Sequence, residues 1–392
     1  MAWGGYYPKR LEYVKSISIF LGNQIAPGRF YIKVTSPRSD DVASYLAIAL
    51  VFWIQAESPL PSVLSLLKQG NAQYRSGHYA EAERSLVDAL GRIEEADGSL
   101  RAKVLADLGD VYSEQEEFLK AEGAYMQALS LSKRLSDTNE SALMLHNLAM
   151  CRSREGKNDD ALALLEKAAR LAKSVSASDP ALEARLLNGF GILYYRANKN
   201  SKAEKSFNQA LDVVRASGIS FNTASILNNL GAVYLHQQKF KQAEDASNRA
   251  LQMKEAESGP FDPALLPELD TLGTIYAATK RYALAKEHYE RVLKILEPRR
   301  SDFGPSIARV LHLLSITYAN MGLRTDSDEA LAEAAKIASD NLSKDSEMAQ
   351  ILEEYSSFLK SHGRTQEAAG LLAQVKHARA VSDLVVRTHS EF

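Results

Sequence analysis

Residues able to do acid–base, nucleophilic or metal chemistry are present but scattered. Eight histidines (His78, His146, His236, His288, His312, His362, His377 and His389) share no ligand-type spacing, and no H-E-x-x-H motif occurs. Cys151 is the single cysteine, which excludes a disulfide framework and a multi-thiolate metal site. It follows Met150 in a helical pattern, where an inert packed thiol is expected. No G-x-x-x-x-G-K loop is present and no G-x-G-x-x-G follows a strand pattern, so nothing is set up to cradle phosphates. Acidic pairs such as Glu353–Glu354 read as solvated helix faces. The expectation is a chain with no catalytic residues, no metal and no cofactor.

Composition narrows the partner class. The 392 residues carry 47 Lys+Arg against 49 Asp+Glu, a net charge of −2, which lacks the basic excess that phosphate neutralisation requires. Nucleic acid is therefore not an expected partner. Hydrophobic residues make up 45%, enough for a large core and too many for wholesale disorder. By length alone two or three domains are expected, unless the chain is a repeat array.

The elements that could position functional groups differ between segment 1–62 and the remainder of the chain. Residues 1–41 hold aromatics, glycines and prolines (Gly4, Gly5, Pro8, Pro27, Gly28, Pro37) with no clear period of 2 or 3.6. An apolar run, VASYLAIALVFWI, follows from Val42 to Ile54. It is shorter than the roughly 20 residues of a membrane span, but it fits the apolar core of an export signal, about 7–15 residues long. Lys33 and Arg38 lie upstream and the small Ala56 marks a cleavage point. Against this, Asp40–Asp41 stand where a basic flank is wanted, and the run begins only at Val42, far from Met1. A signal or anchor over 42–56, giving an exported or membrane-anchored protein, is set against a buried helix packed on the first repeat. The membrane is a partner only if 42–56 is an anchor.

From Val63 onward the sequence repeats. Each unit carries a small residue, with further small residues twelve and nineteen positions later. The first series is Gly70, Gly109, Ala149, Gly191, Gly231, Gly273, Ser315, Ser356; the second is Ala82, Ala121, Ala161, Ala203, Ala243, Ala285, Ser327, Ala368. The third is Ala89, Ala128, Ala168, Ala210, Ala250, Val292, Ala334, Val375. Alanine fills thirteen of the last sixteen places, where its overall share would put about two, so the period is real. Leu108, Gly109 and Tyr112 lie at helical spacing, as do Leu230, Gly231 and Tyr234. Glycines at 77, 156, 322 and 363 mark the breaks, and a second amphipathic helix such as KQAEDASNRALQM follows. No such hairpin buries its apolar face alone, so stacked units must share one core.

This spacing resembles the tetratricopeptide repeat, with its small residue at position 8, Tyr at 11, Ala at 20, aromatic at 24 and Ala at 27. Tyr112, Tyr194, Tyr234, Tyr276 and Tyr318 match position 11; Gln73, Arg152 and Leu359 depart there, as does Ser247 at position 24. The period averages about 41, against roughly 34 in the standard repeat. Loops with Gly259-Pro260, Asp179-Pro180 or Gly304-Pro305 close the units, as in the long kinesin-light-chain type of repeat. The resemblance implies an all-α, right-handed α-solenoid of about eight helical hairpins over 63–378. It is preceded by an irregular, apolar segment 1–62 and followed by a C-terminal cap or tail, 379–392.

In this repeat family the first helix of each pair lines the concave groove, mostly through positions 2, 5, 6, 9, 12 and 13. Carried onto this chain, these positions give His146, Asn147 and Arg154 in the third unit. The fourth contributes Arg185, Asn188, Tyr195 and Arg196, and the fifth Asn228, Asn229 and His236. The second unit offers Lys103, Asp107, Asp110 and Glu114, and the sixth Asp270, so a positive, amide-rich middle is expected between more acidic stretches. Asparagines pair with a peptide main chain as donor and acceptor, and arginines grip carboxylates. The co-chaperone carboxylate clamp is not matched, because Ala106, Asp110 and Gly189 stand at its key positions. The implied function is a non-catalytic scaffold for an extended, acidic segment of another protein or peptide. The alternatives are a receptor in which a peptide or metabolite changes the superhelix, and an accessory subunit of an envelope or secretion complex.

Overall fold

The computed structural model describes residues 17–20, 31–34, 62–94, 97–175, 179–219, 221–301, 303–342 and 346–390. The chain divides into two compact units, Met1–Ser62 and Val63–Phe392. In the first, strands β1 (Ile17–Phe20) and β2 (Tyr31–Val34) pair antiparallel, Ile17 opposite Val34 and Phe20 opposite Tyr31. Strands this short complete only two alternations, too few for a period to stand out in the sequence. The proposed signal or anchor at 42–56 lies outside the described residues. Among the described residues no helix is long and apolar enough to cross a membrane.

The second unit is built from eight antiparallel helix pairs. They are α1 (Val63–Arg75) with α2 (Tyr79–Arg92), α3 (Gly98–Glu114) with α4 (Phe118–Arg134), and α5 (Thr138–Arg154) with α6 (Asn158–Lys173). Next come α7 (Pro180–Arg196) with α8 (Asn200–Ser217), α9 (Thr223–His236) with α10 (Phe240–Ser258), and α11 (Leu266–Ala278) with α12 (Tyr282–Leu296). The last are α13 (Gly304–Asn320) with α14 (Arg324–Asp340) and α15 (Ser346–Ser361) with α16 (Thr365–Ser390). The final helix thus runs through the stretch expected as a tail. Each helix packs on its pair partner and on the next helix in the chain. The fold is an all-α solenoid.

Two local devices make the pairs regular. Several first helices start on a side-chain cap: Asp97 accepts from the Leu100 amide, Asp137 from Glu140, Asp179 from Ala181 and Leu182, and Asn222 from Ser225. All eight turns within pairs hold a left-handed residue, at Gly77, Glu116, Gly156, Asn198, Gln238, Lys280, Gly322 and Gly363. In these turns the next amide returns to a carbonyl five residues back, as Lys199 does to Tyr194 (2.8 Å) and Arg281 to Tyr276 (2.8 Å). Only half of the turns carry glycine, so the sequence displays only half of the breaks.

Packing explains the small residues. Ala82, Ala121, Ala161, Ala203, Ala243, Ala285 and Ala368 are fully buried. A Cβ on Gly109 would sit 2.5 Å from Tyr125 Cε1, and one on Gly273 2.5 Å from Tyr289 Cε1; the Phe207 ring fills the same space against Gly191. Glycine on the first helix and an aromatic on the second therefore form one packing unit. In the fifth pair Ser247 replaces the ring, and its hydroxyl closes on Gly231.

Candidate functional site: the inner face of the first helices

First helices of neighbouring pairs approach one another more closely than second helices do, so the stack curves toward the odd-numbered helices. Polar side chains on that inner face form rungs between units. Asn71 Nδ2 donates to Asp107 Oδ2 (3.2 Å), and Asn229 Nδ2 to Asn188 Oδ1 (3.2 Å). Arg309 Nη1 pairs with Asp270 Oδ1 (2.7 Å), and His312 Nε2 with Glu354 Oε2 (2.5 Å). Each rung spans about one repeat in sequence, which is why residues 36 to 42 positions apart meet.

The eight candidate groove residues fall on α5, α7 and α9 in several different states. Asn147 Oδ1 accepts from His146 Nδ1 at 3.1 Å. Asn188 and Asn229 are bonded to each other. Asn228 is buried, 8% exposed, and among the described residues its Oδ1 has no hydrogen-bond partner. His236 lies edge-on to Tyr195, ring centroids 5.7 Å apart, and its Nδ1 meets Asn200 Nδ2 at 3.3 Å.

The three arginines are not equivalent. Arg154 places Nη1 and Nη2 on the two carboxylate oxygens of Glu114 at 2.5 and 2.9 Å, so its charge is balanced. Arg196 donates to the carbonyl oxygen of Ser153 and to its Oγ (3.0 Å), and among the described residues no carboxylate lies within ion-pair distance of it. Burial and the nearby Arg154 guanidinium hold its pKa down. Arg185 is exposed over the Phe221 ring, 5.7 Å to the centroid, and it too lacks an ion pair among the described residues. The uncompensated positive charge of the middle groove is therefore at Arg185 and Arg196.

Beside them the floor of α3 is acidic. Asp110 accepts from Tyr125 Oη at 2.5 Å. Burial pushes its carboxyl up to about 6, with Asp107 and Glu114 adding to the rise, while the Tyr125 bond and the Arg185 charge oppose it. Burial also raises Asp107, against the Asn71 hydrogen bond and Lys103. His146 is driven the other way, down to about 4, by burial and, more weakly, by Arg185.

This arrangement can hold a polar chain. Cys151 is 3% exposed, and burial pushes its thiol up to about 11, which suppresses the nucleophilic thiolate. Among the described residues no three His, Cys, Asp or Glu side chains cluster as metal ligands.

The comparisons with known proteins agree with this geometry. A family model described as tetratricopeptide repeat matches residues 140–216 and 222–297, and a second of the same description matches 102–134. The chain is a tetratricopeptide-repeat protein. No curated protein matches it in sequence. Among solved structures, the Rap protein complexed with competence and sporulation factor superposes with a TM-score of 0.55 at 15% identity, over 79% of this chain and 81% of that one. BtubC (BKLC) from P. vanneervenii gives 0.51 at 21% identity, over 58% and 93%. The apo form of RapI gives 0.50 at 15%, over 70% and 97%. At such identities these likenesses concern the fold. Tetratricopeptide solenoids are a protein-interaction fold.

Sequence positions did not show the rungs. Glu114 with Arg154 and Asp270 with Arg309 are opposite charges one repeat apart. Scanning for complementary side chains at an offset of about 40 is the signal that would have paired them.

Proposed function

We propose that the repeat unit is a non-catalytic scaffold that holds an extended, acidic segment of another protein along α5, α7 and α9. The observation that carries this reading is that Arg185 and Arg196, on the inner face beside the Asn188–Asn229 rung, have no carboxylate partner among the described residues. Arg185 and Arg196 flank the site and supply bidentate donors for ligand carboxylates. The Rap complex supports the reading to the extent that a solenoid of this fold binds another molecule.

The test is titration of linear dodecapeptides, selected from a random display library on the purified chain, in 50 and 300 mM salt. Micromolar binding is expected, because ordering an extended chain offsets about 2–5 kcal/mol of contact energy. Arg185→Ala should weaken acidic peptides more than neutral ones and flatten their salt dependence. Selected peptides that are neutral or basic, and indifferent to Arg185, would refute the acidic-ligand reading.

A further inference from the structure

The eight pairs are antiparallel, so all turns within pairs lie on one edge of the solenoid ribbon and all loops between pairs on the other. Among the described residues, Arg299 and Phe303 join the two edges between segments far apart in sequence. Arg299, in the short 3₁₀ turn Glu297–Arg299 after α12, donates through Nη2 to the Gly77 carbonyl at 2.9 Å and through Nη1 to the Ser76 carbonyl. Ser76 and Gly77 form the turn between α1 and α2. The guanidinium stacks on the Phe303 ring, 5.0 Å to the centroid. Phe303 Cζ in turn lies 3.2 Å from where a Cβ on Gly77 would stand, so a larger residue there would press on the ring. Gly77 is left-handed, φ +72°, which glycine also adopts without strain.

A loop of the sixth pair touching a turn of the first means that the ribbon completes one superhelical turn and meets its own opposite edge. We propose that Arg299 and Phe303 clasp the Ser76–Gly77 turn and close the first six pairs into a ring, so that the inner face is the wall of a channel reached along its axis. This rests on the concave-face reading of function and narrows its ligand. A closed ring admits an extended chain with a free end, threaded through it, and excludes a loop displayed on a folded partner. The clasp is small: one side chain, two carbonyls and one ring. Charge-assisted hydrogen bonds of this kind hold a closed form by about tenfold over an open one, so opening on binding is within reach.

Two measurements test the closure and the ligand class separately. Dyes are placed on Lys68→Cys in α1 and Glu287→Cys in α12, both exposed positions. The buried Cys151 thiol, with its raised pKa, stays unlabelled. Single-molecule energy transfer should show a dominant compact population whose ratio to the open one falls about tenfold in Arg299→Ala and in Phe303→Ala. It should be unchanged in Arg300→Ala, whose partners are Glu297 and Glu333. Equal transfer in all four proteins, or an equal loss in Arg300→Ala, would overturn the clasp. Random dodecapeptide libraries, one linear with a free end and one displayed as a surface loop of a folded carrier protein, are then selected on wild type and on Arg299→Ala. Binders weakened by Asn228→Ala should come only from the linear library on wild type, and from both libraries on the variant. Loop-displayed groove binders on wild type would overturn the closed channel. No groove binder from any selection would overturn the concave-face reading itself, and the energy-transfer result would still stand.

Discussion

Arg154 and Glu114, on neighbouring first helices, meet through two parallel hydrogen bonds that fix the guanidinium against the carboxylate. Three arginines on the middle groove thus become two available ones. The pair is partly exposed, 38% and 30%, and its own contribution to stability is small. Its consequence is for the field a ligand meets.

Releasing that charge should be measurable. Glu114→Gln leaves Arg154 in place with its carboxylate partner removed. Acidic dodecapeptides should then bind a few-fold more tightly at low salt and show a steeper salt dependence. Unchanged affinity by fluorescence anisotropy would mean that ligands do not pass Arg154.

Two buried groups give the fold opposing responses to acid. The Asp110 carboxyl is raised from 3.8 to about 6, so its contribution is full below 3.8 and is lost as pH rises through about 6. His146 is lowered from 6.5 to about 4, so its contribution is full above 6.5 and is lost as pH falls through about 4. Each is worth on the order of 3 kcal/mol, and the two nearly cancel across pH 4–6.5. Asp110→Asn should expose the His146 slope, with stability rising toward neutral pH. His146→Gln should expose the reverse slope. Denaturation profiles of both variants parallel to wild type over this window would remove the assignment.

Overpacking tests the register of the hairpins. Ala203→Leu and Ala243→Leu insert side chains at fully buried positions and should each cost about 1–3 kcal/mol. Gly109→Ala drives a methyl into the Tyr125 ring and should cost a similar amount. Urea midpoints unchanged in all three would show that these residues do not form the helix–helix contact.

Residues 42–56 read as an export signal or anchor in the sequence, against a packed helix. Cleavage after Ala56 would leave a mature protein beginning at Glu57, which mass spectrometry of material from the native host would detect. An intact Met1 in the soluble cytosolic fraction would reject both cleavage and anchoring.

The architecture was legible because the packing demands a repeated composition. Gly109, Gly191 and Gly273 must be small for Tyr125, Phe207 and Tyr289 to fit, and the small first-helix position recurs once in every repeat. The turns were half legible: Gly77 and Gly156 announce a left-handed residue, whereas Glu116, Gln238 and Lys280 adopt the same conformation with side chains that give no sign of it. The groove positions could be named from the repeat register, but their states could not. Whether Asn188 faces a ligand or Asn229, and whether Arg154 is free or held by Glu114, depends on how neighbouring first helices are offset. The Arg299–Gly77 contact was invisible for a related reason. It depends on the cumulative twist of six pairs, and no local pattern encodes that sum.

The most direct measurement is the affinity of a panel of selected linear peptides for wild type and for Asn228→Ala, with folding of the variant checked by its melting curve. An amide that reads the main chain is blind to side chains, so every peptide in the panel should lose affinity by a similar factor, about tenfold. Arg185→Ala should by contrast discriminate between acidic and neutral members. A panel whose affinities ignore both substitutions would place the ligand elsewhere on the protein and contradict binding along α5, α7 and α9.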